Sequence, residues 1–157
     1  MATELEKIIA GEQTLNDVII GLQPQHIESI AMLGYQAWEQ GRAEEARAIF
    51  EGLTSLDSKS YFGYAGLGAV ALGSGSLDEA VEQLSKAIDL NPNDPTVRAN
   101  LGEAYLRRSQ MDEASEAFKA ALTLDPGQRD PGANRARALL QGMSIVLAEI
   151  EKAAEMQ

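Results

Sequence analysis

The sequence predicts an all-α fold made of a unit repeated three times, and three observations lead to it. Gly34, Gly68 and Gly102 recur every 34 residues, each preceded by a leucine, Leu33, Leu67 and Leu101. Twelve residues after each glycine stands an alanine, Ala46, Ala80 and Ala114, and four further on a large apolar residue, Phe50, Leu84 and Phe118. No gap interrupts the register, and a period of this length is the mark of a helical repeat array. The units run over residues 27–60, 61–94 and 95–128, with an N-terminal extension over 1–26 and a C-terminal segment over 129–157.

Each unit is expected to form two helices and a tight turn. In the first helix the Leu-Gly pair sets a bulky core side chain beside a residue with none, so that a neighbouring helix can approach closely at the glycine. Glycine costs about 1 kcal/mol relative to alanine inside a helix, and close approach supplies the reason for it. The turns fall at Gly41, at Gly73-Ser74-Gly75 and at Ser109. The second helices open on Glu44-Glu45, Asp78-Glu79 and Asp112-Glu113, acids that favour the positive end of a helix. Ser76 and Glu79 have the spacing of a capping box. Leu90-Asn91-Pro92 and Leu124-Asp125-Pro126 end two of these helices, and Asp94-Pro95 and Asp130-Pro131 restart the chain as N-cap and first-turn proline.

At the N-terminus Leu5, Ile8, Ile9, Leu15, Val18, Ile19 and Leu22 recur at helical spacing. One or two short amphipathic helices are expected there. For Leu5, Ile8, Ile9, Val18 and Ile19 two roles are open, a cap on the array and a contact in a homodimer. At the other end Ala133, Ala136, Leu140, Met143, Leu147, Ile150 and Ala154 alternate steps of three and four on a helix from about Pro131 to Glu155. That helix is read as the cap on the open side of the third unit, because a solenoid needs its last core face covered.

The 157 residues are 45% hydrophobic and 24% charged, suited to one domain with a continuous core. A formal charge of -11 repels phosphates and anionic head groups, so neither nucleic acid nor a membrane surface is an expected partner. No cysteine is present, which excludes disulfides and thiolate metal sites and agrees with a cytoplasmic location. The first residues carry acids where a secretory signal carries lysines, and no apolar run approaches the roughly 20 residues of a membrane span.

Catalytic groups are scarce. The single histidine, His26, precedes or opens the first helix of the array, and the paired acids recur once per unit, as scaffold does. Gly66-x-Gly68 lies inside a helix and Gly73-x-Gly75 in a turn, without the strand that a phosphate loop requires. No cluster has metal-ligand spacing. The expectation is a non-enzymatic protein with no cofactor and no metal.

The pattern of small and large residues resembles the tetratricopeptide repeat over 102 residues. In the third unit the positions of that pattern fall on Arg98, Leu101-Gly102, Tyr105, Ala114, Phe118, Ala121 and Pro126, of which Arg98 alone departs. In the first unit Leu53 replaces the late alanine and Ser58 the proline. The resemblance implies a right-handed superhelix whose first helices line a concave groove through unit positions 2, 5, 9, 12 and 13. These map to Glu28, Ala31, Tyr35, Trp38 and Glu39, to Phe62, Ala65, Ala69, Leu72 and Gly73, and to Thr96, Ala99, Glu103, Leu106 and Arg107. From them Ala31, Tyr35, Trp38, Phe62, Ala65, Ala69, Leu72, Ala99, Glu103 and Leu106 are taken as the peptide-binding groove, an apolar trough for an extended peptide. Core packing is the competing reading for Tyr35, Trp38 and Phe62. Repeats that clamp the terminal carboxylate of heat-shock chaperones resemble one another in carrying lysine and asparagine at positions 5 and 9. This chain has Ala31 and Tyr35, Ala65 and Ala69, Ala99 and Glu103 there, so no such clamp is expected.

A second resemblance lies in Leu33-Gly34-Tyr35-Gln36-Ala37-Trp38-Glu39-Gln40-Gly41-Arg42, continued by Glu45-Ala46, Ile49-Phe50, Leu56-Asp57 and the stretch from Tyr61 to Gly68, and in Arg135-Ala136-Arg137-Ala138-Leu139-Leu140. These look like the class II chaperones of bacterial type III secretion, which hold hydrophobic translocator proteins before export. The resemblance implies a cytoplasmic chaperone, often dimeric through its N-terminal helices, with a translocator segment as partner in the groove. A generic scaffold or adaptor in the assembly of a bacterial protein complex is the alternative.

Overall fold

The structure, a computed structural model, describes residues 23–156 together with Ala10. Leu5, Ile8, Ile9, Val18 and Ile19 lie outside the described residues. Seven helices are present among those described: α1 Pro24–Glu39, α2 Ala43–Leu56, α3 Tyr61–Ser74, α4 Leu77–Leu90, α5 Pro95–Arg107, α6 Met111–Leu124 and α7 Pro131–Glu155. Each helix packs on the next, and α1 also touches α3, α3 touches α5, and α5 touches α7. The odd-numbered helices therefore form one layer, and α2, α4 and α6 lie outside it.

The turns close as their residues allow. Gly41, Gly75 and Ser109 take positive φ of 76°, 82° and 62°, so all three first helices of the units end on a left-handed residue. Asp94 and Asp130 are working N-caps, accepting the amides of Val97 at 3.0 Å and Ala133 at 2.7 Å. Ser60 caps α3 through the Gly63 amide. Ser76 makes no side-chain bond to the amides of α4, so the expected capping box is absent, and Asp78 and Glu79 alone supply negative charge to that helix start. His26 opens the array as a structural group, its Nδ1 accepting the Gln23 amide at 3.0 Å.

The signature residues of each unit meet one another. A Cβ built on Gly34 would lie 2.7 Å from the Phe50 ring, one on Gly68 2.5 Å from Leu84, and one on Gly102 2.5 Å from Phe118. These three partners are fully buried, as are Ala46, Ala80 and Ala114. The 16-residue step from glycine to large residue is thus the contact between the two helices of one unit. The leucines behave unequally: Leu67 is buried, Leu101 half-buried, and Leu33 is 58% exposed, contrary to expectation. Leu67 has a preceding unit to pack against, whereas no described element covers the corresponding face of α1.

Polar contacts then lock neighbouring units. Arg47 on α2 pairs with Glu79 on α4 at 2.5 Å, and Arg108 pairs with Asp78 at 3.2 Å. Arg107 Nη1 donates to the Leu72 carbonyl at 2.6 Å, satisfying an acceptor at the end of α3. The α7 helix extends the array as another inner-layer helix: a Cβ on Gly132 would meet the Thr96 Cα at 2.7 Å, which lets α7 close on α5.

Candidate functional site

The inner layer encloses a trough with two connected lobes, of about 280 and 420 Å³. Tyr35, Ala69, Thr96 and Asn100 border both lobes. The first lobe adds Tyr61, Phe62, Ala65, Asp94 and Val97, and the second Trp38, Glu39, Leu72, Gly73, Glu103 and Arg135. One wall comes from α1, the floor from small residues of α3, and the opposite wall from α5 and the start of α7. Helical spacing puts Thr96, Asn100 and Glu103 on one face of α5.

The aromatics are partly in the core and partly in the trough. Tyr35 meets the buried Phe50 edge-on with ring centroids 5.0 Å apart. Trp38 lies over Gly73, where any side chain would displace the indole. Phe62 stacks edge-on with Tyr61 at 5.3 Å. All three remain half-buried rather than fully covered, so each gives part of its ring to the trough.

Three polar networks sit at the trough wall. The Tyr61 hydroxyl donates to Asp94, whose other oxygen caps α5. Burial, then the Asp94 charge and hydrogen bond, keeps the Tyr61 phenol protonated far above its ordinary range. Thr96 donates to Asp130 at 3.0 Å. Arg135 on α7 donates to the Asn100 Oδ1 and pairs with Glu103 at 3.2 Å. With its oxygen so engaged, Asn100 keeps an amide NH2 as a donor, and Asn100 is one of few buried polar residues here.

Burial, with a smaller contribution from Asp94, pushes the Tyr35 phenol up to about 12. An unfolded chain ionises this group near 10, so it releases a proton that the folded chain retains, and stability falls as pH rises from about 10 towards 12. Over that range the loss amounts to at most about 3 kcal/mol. Thermal melting from pH 8 to 12 is expected to show a steep decline above about pH 10 that Tyr35→Phe reduces. An equal decline in both proteins would refute the assignment.

Seven of the ten groove positions read from the sequence border the trough: Tyr35, Trp38, Phe62, Ala65, Ala69, Leu72 and Glu103. Three do not. Ala31 is 2% exposed in the cluster around Phe50, and Ala99 is 1% exposed in the cluster around Phe118 and Ala136. A short side chain on a tightly packed inner helix is covered by its neighbours before it reaches the groove. Leu106 borders a different cleft, between α5, α6 and α7, because α7 packs over that end of α5. Sequence reasoning missed Tyr61, Asp94, Asn100 and Arg135. The period itself is the signal that could have found them, since Tyr61 meets Asp94 across 33 residues and Asn100 meets Arg135 across 35.

Tetratricopeptide-repeat models match residues 27–60 and 95–128, and a related repeat model matches residues 72–109, which together exceed half the chain. The chain is a tetratricopeptide-repeat protein. No curated protein sequence matches this repeat protein, but solved structures do. Its fold is similar to that of SycD, the type III secretion translocator chaperone of Yersinia enterocolitica, with a TM-score of 0.70 and 20% identity over 80% of this chain and 96% of that one. It is also similar to PcrH, whose own structure comes from Pseudomonas aeruginosa. In a complex with the chaperone binding region of PopB, PcrH matches with a TM-score of 0.66 and 28% identity over 76% of this chain and 98% of PcrH. In a complex with the corresponding region of PopD the values are 0.69 and 27%, over 80% and 96%. Among the described residues no helix is long and apolar enough to cross a membrane, and no group of three or more acidic or histidine side chains could hold a metal.

Proposed function

We propose that this repeat protein is a chaperone that holds an extended hydrophobic segment of a type III secretion translocator in the trough, on the cytoplasmic side and before export. One observation carries the reading: a continuous apolar-floored trough on the inner layer of a fold shared, at 27–28% identity, with PcrH in complex with the chaperone binding regions of PopB and PopD. Tyr35, Trp38, Phe62 and Ala69 give apolar contact over a floor backed by the buried Ala65 and Leu72, and the exposed ring portions offer pockets for large client side chains. Asn100 supplies an amide donor for a client carbonyl, and Glu103 is held in place by Arg135. Glu39, Asp94 and Glu103 at the walls disfavour an acidic segment or a terminal carboxylate. Binding of this kind calls for no chemical step, and the chain acts as a holder rather than an enzyme.

Co-expression with the hydrophobic translocator of the same secretion system tests this. Ala69 borders both lobes, so Ala69→Arg fills the middle of the trough and is expected to cut co-purified translocator at least about tenfold with unchanged helicity. Lys119→Glu, on the exposed face of α6, should leave capture intact. Equal capture by the Ala69 variant would remove the trough as the site, and loss only with Lys119→Glu would favour an outer-face scaffold. Failure of the unaltered protein to capture any translocator would overturn the chaperone reading.

A further inference from the structure

The first helix of the array has a bare side that its counterparts lack. Unit positions 3, 6, 7 and 10 face the second helix of the preceding unit: on α3 they are Gly63, Gly66, Leu67 and Val70, all buried, and on α5 Val97, Asn100, Leu101 and Ala104, buried or half-buried. Gly63 and Gly66 meet Thr54 and Phe50 of α2, and Leu67 and Val70 share a cluster with Ile49 and Leu53. On α1 the same positions are Ser29, Met32, Leu33 and Gln36, all exposed, with Met32 at 71% and Leu33 at 58%. They line a shallow groove of about 560 Å³ that no other described element borders. Adjacent exposed apolar side chains at a register that is otherwise covered mark a docking face.

Such a face calls for a helix in the place of α2 one unit earlier, and the repeat itself says which residues supply it. Counting 34 back from Ile49 and Leu53 gives Leu15 and Ile19, apolar at the places that meet Leu33. Counting back from Ala46 and Phe50, which pack against α1 of their own unit, gives Glu12 and Asn16. Polar residues suit those two places when no first helix stands there to bury them. Residues 12–20 lie outside those described. We infer that they form a half unit, a single helix seated on α1 of the same chain as α2 is seated on α3. Large and small exchange across this contact, since Phe50 against Gly66 becomes Asn16 against Met32, and the space stays filled. Ala10 lies in a turn, so the helix begins after it. Gly21-Leu22-Gln23 is then the connection to α1, within the about two to eight residues usual between packed helices.

Thermal melts of the full chain test the half unit. Leu33→Ala and Ile19→Ala are each expected to lower the melting temperature by at least about 4 °C, as truncation of a covered side chain does. A Leu33 left open to water would give a change below about 2 °C. The two side chains touch, so the double variant should lose less than the sum of the single losses. Val18→Ala, at the register of the exposed Gly52, should change little. In a chain without cysteine, Ile19→Cys with Leu33→Cys should oxidise to a disulfide within one chain. Unchanged melting with Leu33→Ala, strictly additive losses, or thiols left free after oxidation overturns the half unit. So does a disulfide that joins only separate chains, which would seat the segment on a second copy. No client enters these readings, so they stand or fall separately from the trough.

Discussion

Phe50→Ala is expected to remove about 3–5 kcal/mol of stability, the range for deleting a fully buried phenylalanine. The ring is 0% exposed and lodged between Gly34 of α1 and Gly66 of α3, so it joins three helices of the first two units. Backbones held at glycines cannot collapse into the space, and the cavity persists. For a chain of this size the loss corresponds to a melting temperature lower by about 10–20 °C. The same ring supports Tyr35 edge-on, so the variant should also loosen the trough. A urea melt showing a loss below about 1 kcal/mol would refute the wedge role.

Gly66→Val is the complementary change, adding atoms where Phe50 leaves no room. A Cβ at Gly66 already runs into three atoms of the Phe50 ring, and a ring packed on all sides cannot swing away. The cost is expected at about 3 kcal/mol, from overpacking that outweighs the few tenths of a kcal/mol of helix propensity valine gains over glycine. Gly52→Ala on α2 provides the contrast. Nothing lies within 4 Å of its Cβ position, so the helix gains propensity without a clash, and a rise of about 1 kcal/mol is expected. Equal responses at Gly52 and Gly66 in parallel denaturant melts would show that close packing does not decide the role of these glycines.

Much of this architecture was legible because local rules act on every unit alike. The 34-residue step, the left-handed turns at Gly41, Gly75 and Ser109, and the caps at Asp94 and Asp130 each depend on a few consecutive residues. A rule read from spacing alone could still fail. Ser76 has capping spacing without the bond, and Leu33 occupies a core register with 58% of its surface exposed. The trough shows the same division. Periodicity gave the direction of Tyr35, Trp38, Phe62 and Ala69, yet equally pointed to Ala31 and Ala99, which neighbours cover.

By itself, then, the sequence determined the helices between Pro24 and Glu155, their order and the pairing of glycine with large residue inside each unit, because those follow from backbone propensity and a fixed period. Tertiary structure alone decided which inner side chains stay open, that Leu106 serves the α7 cleft, and that Asn100, Glu103 and Arg135 form one wall. Exposure depends on the size and angle of side chains a full unit away. Those reach one another only once the helices have stacked.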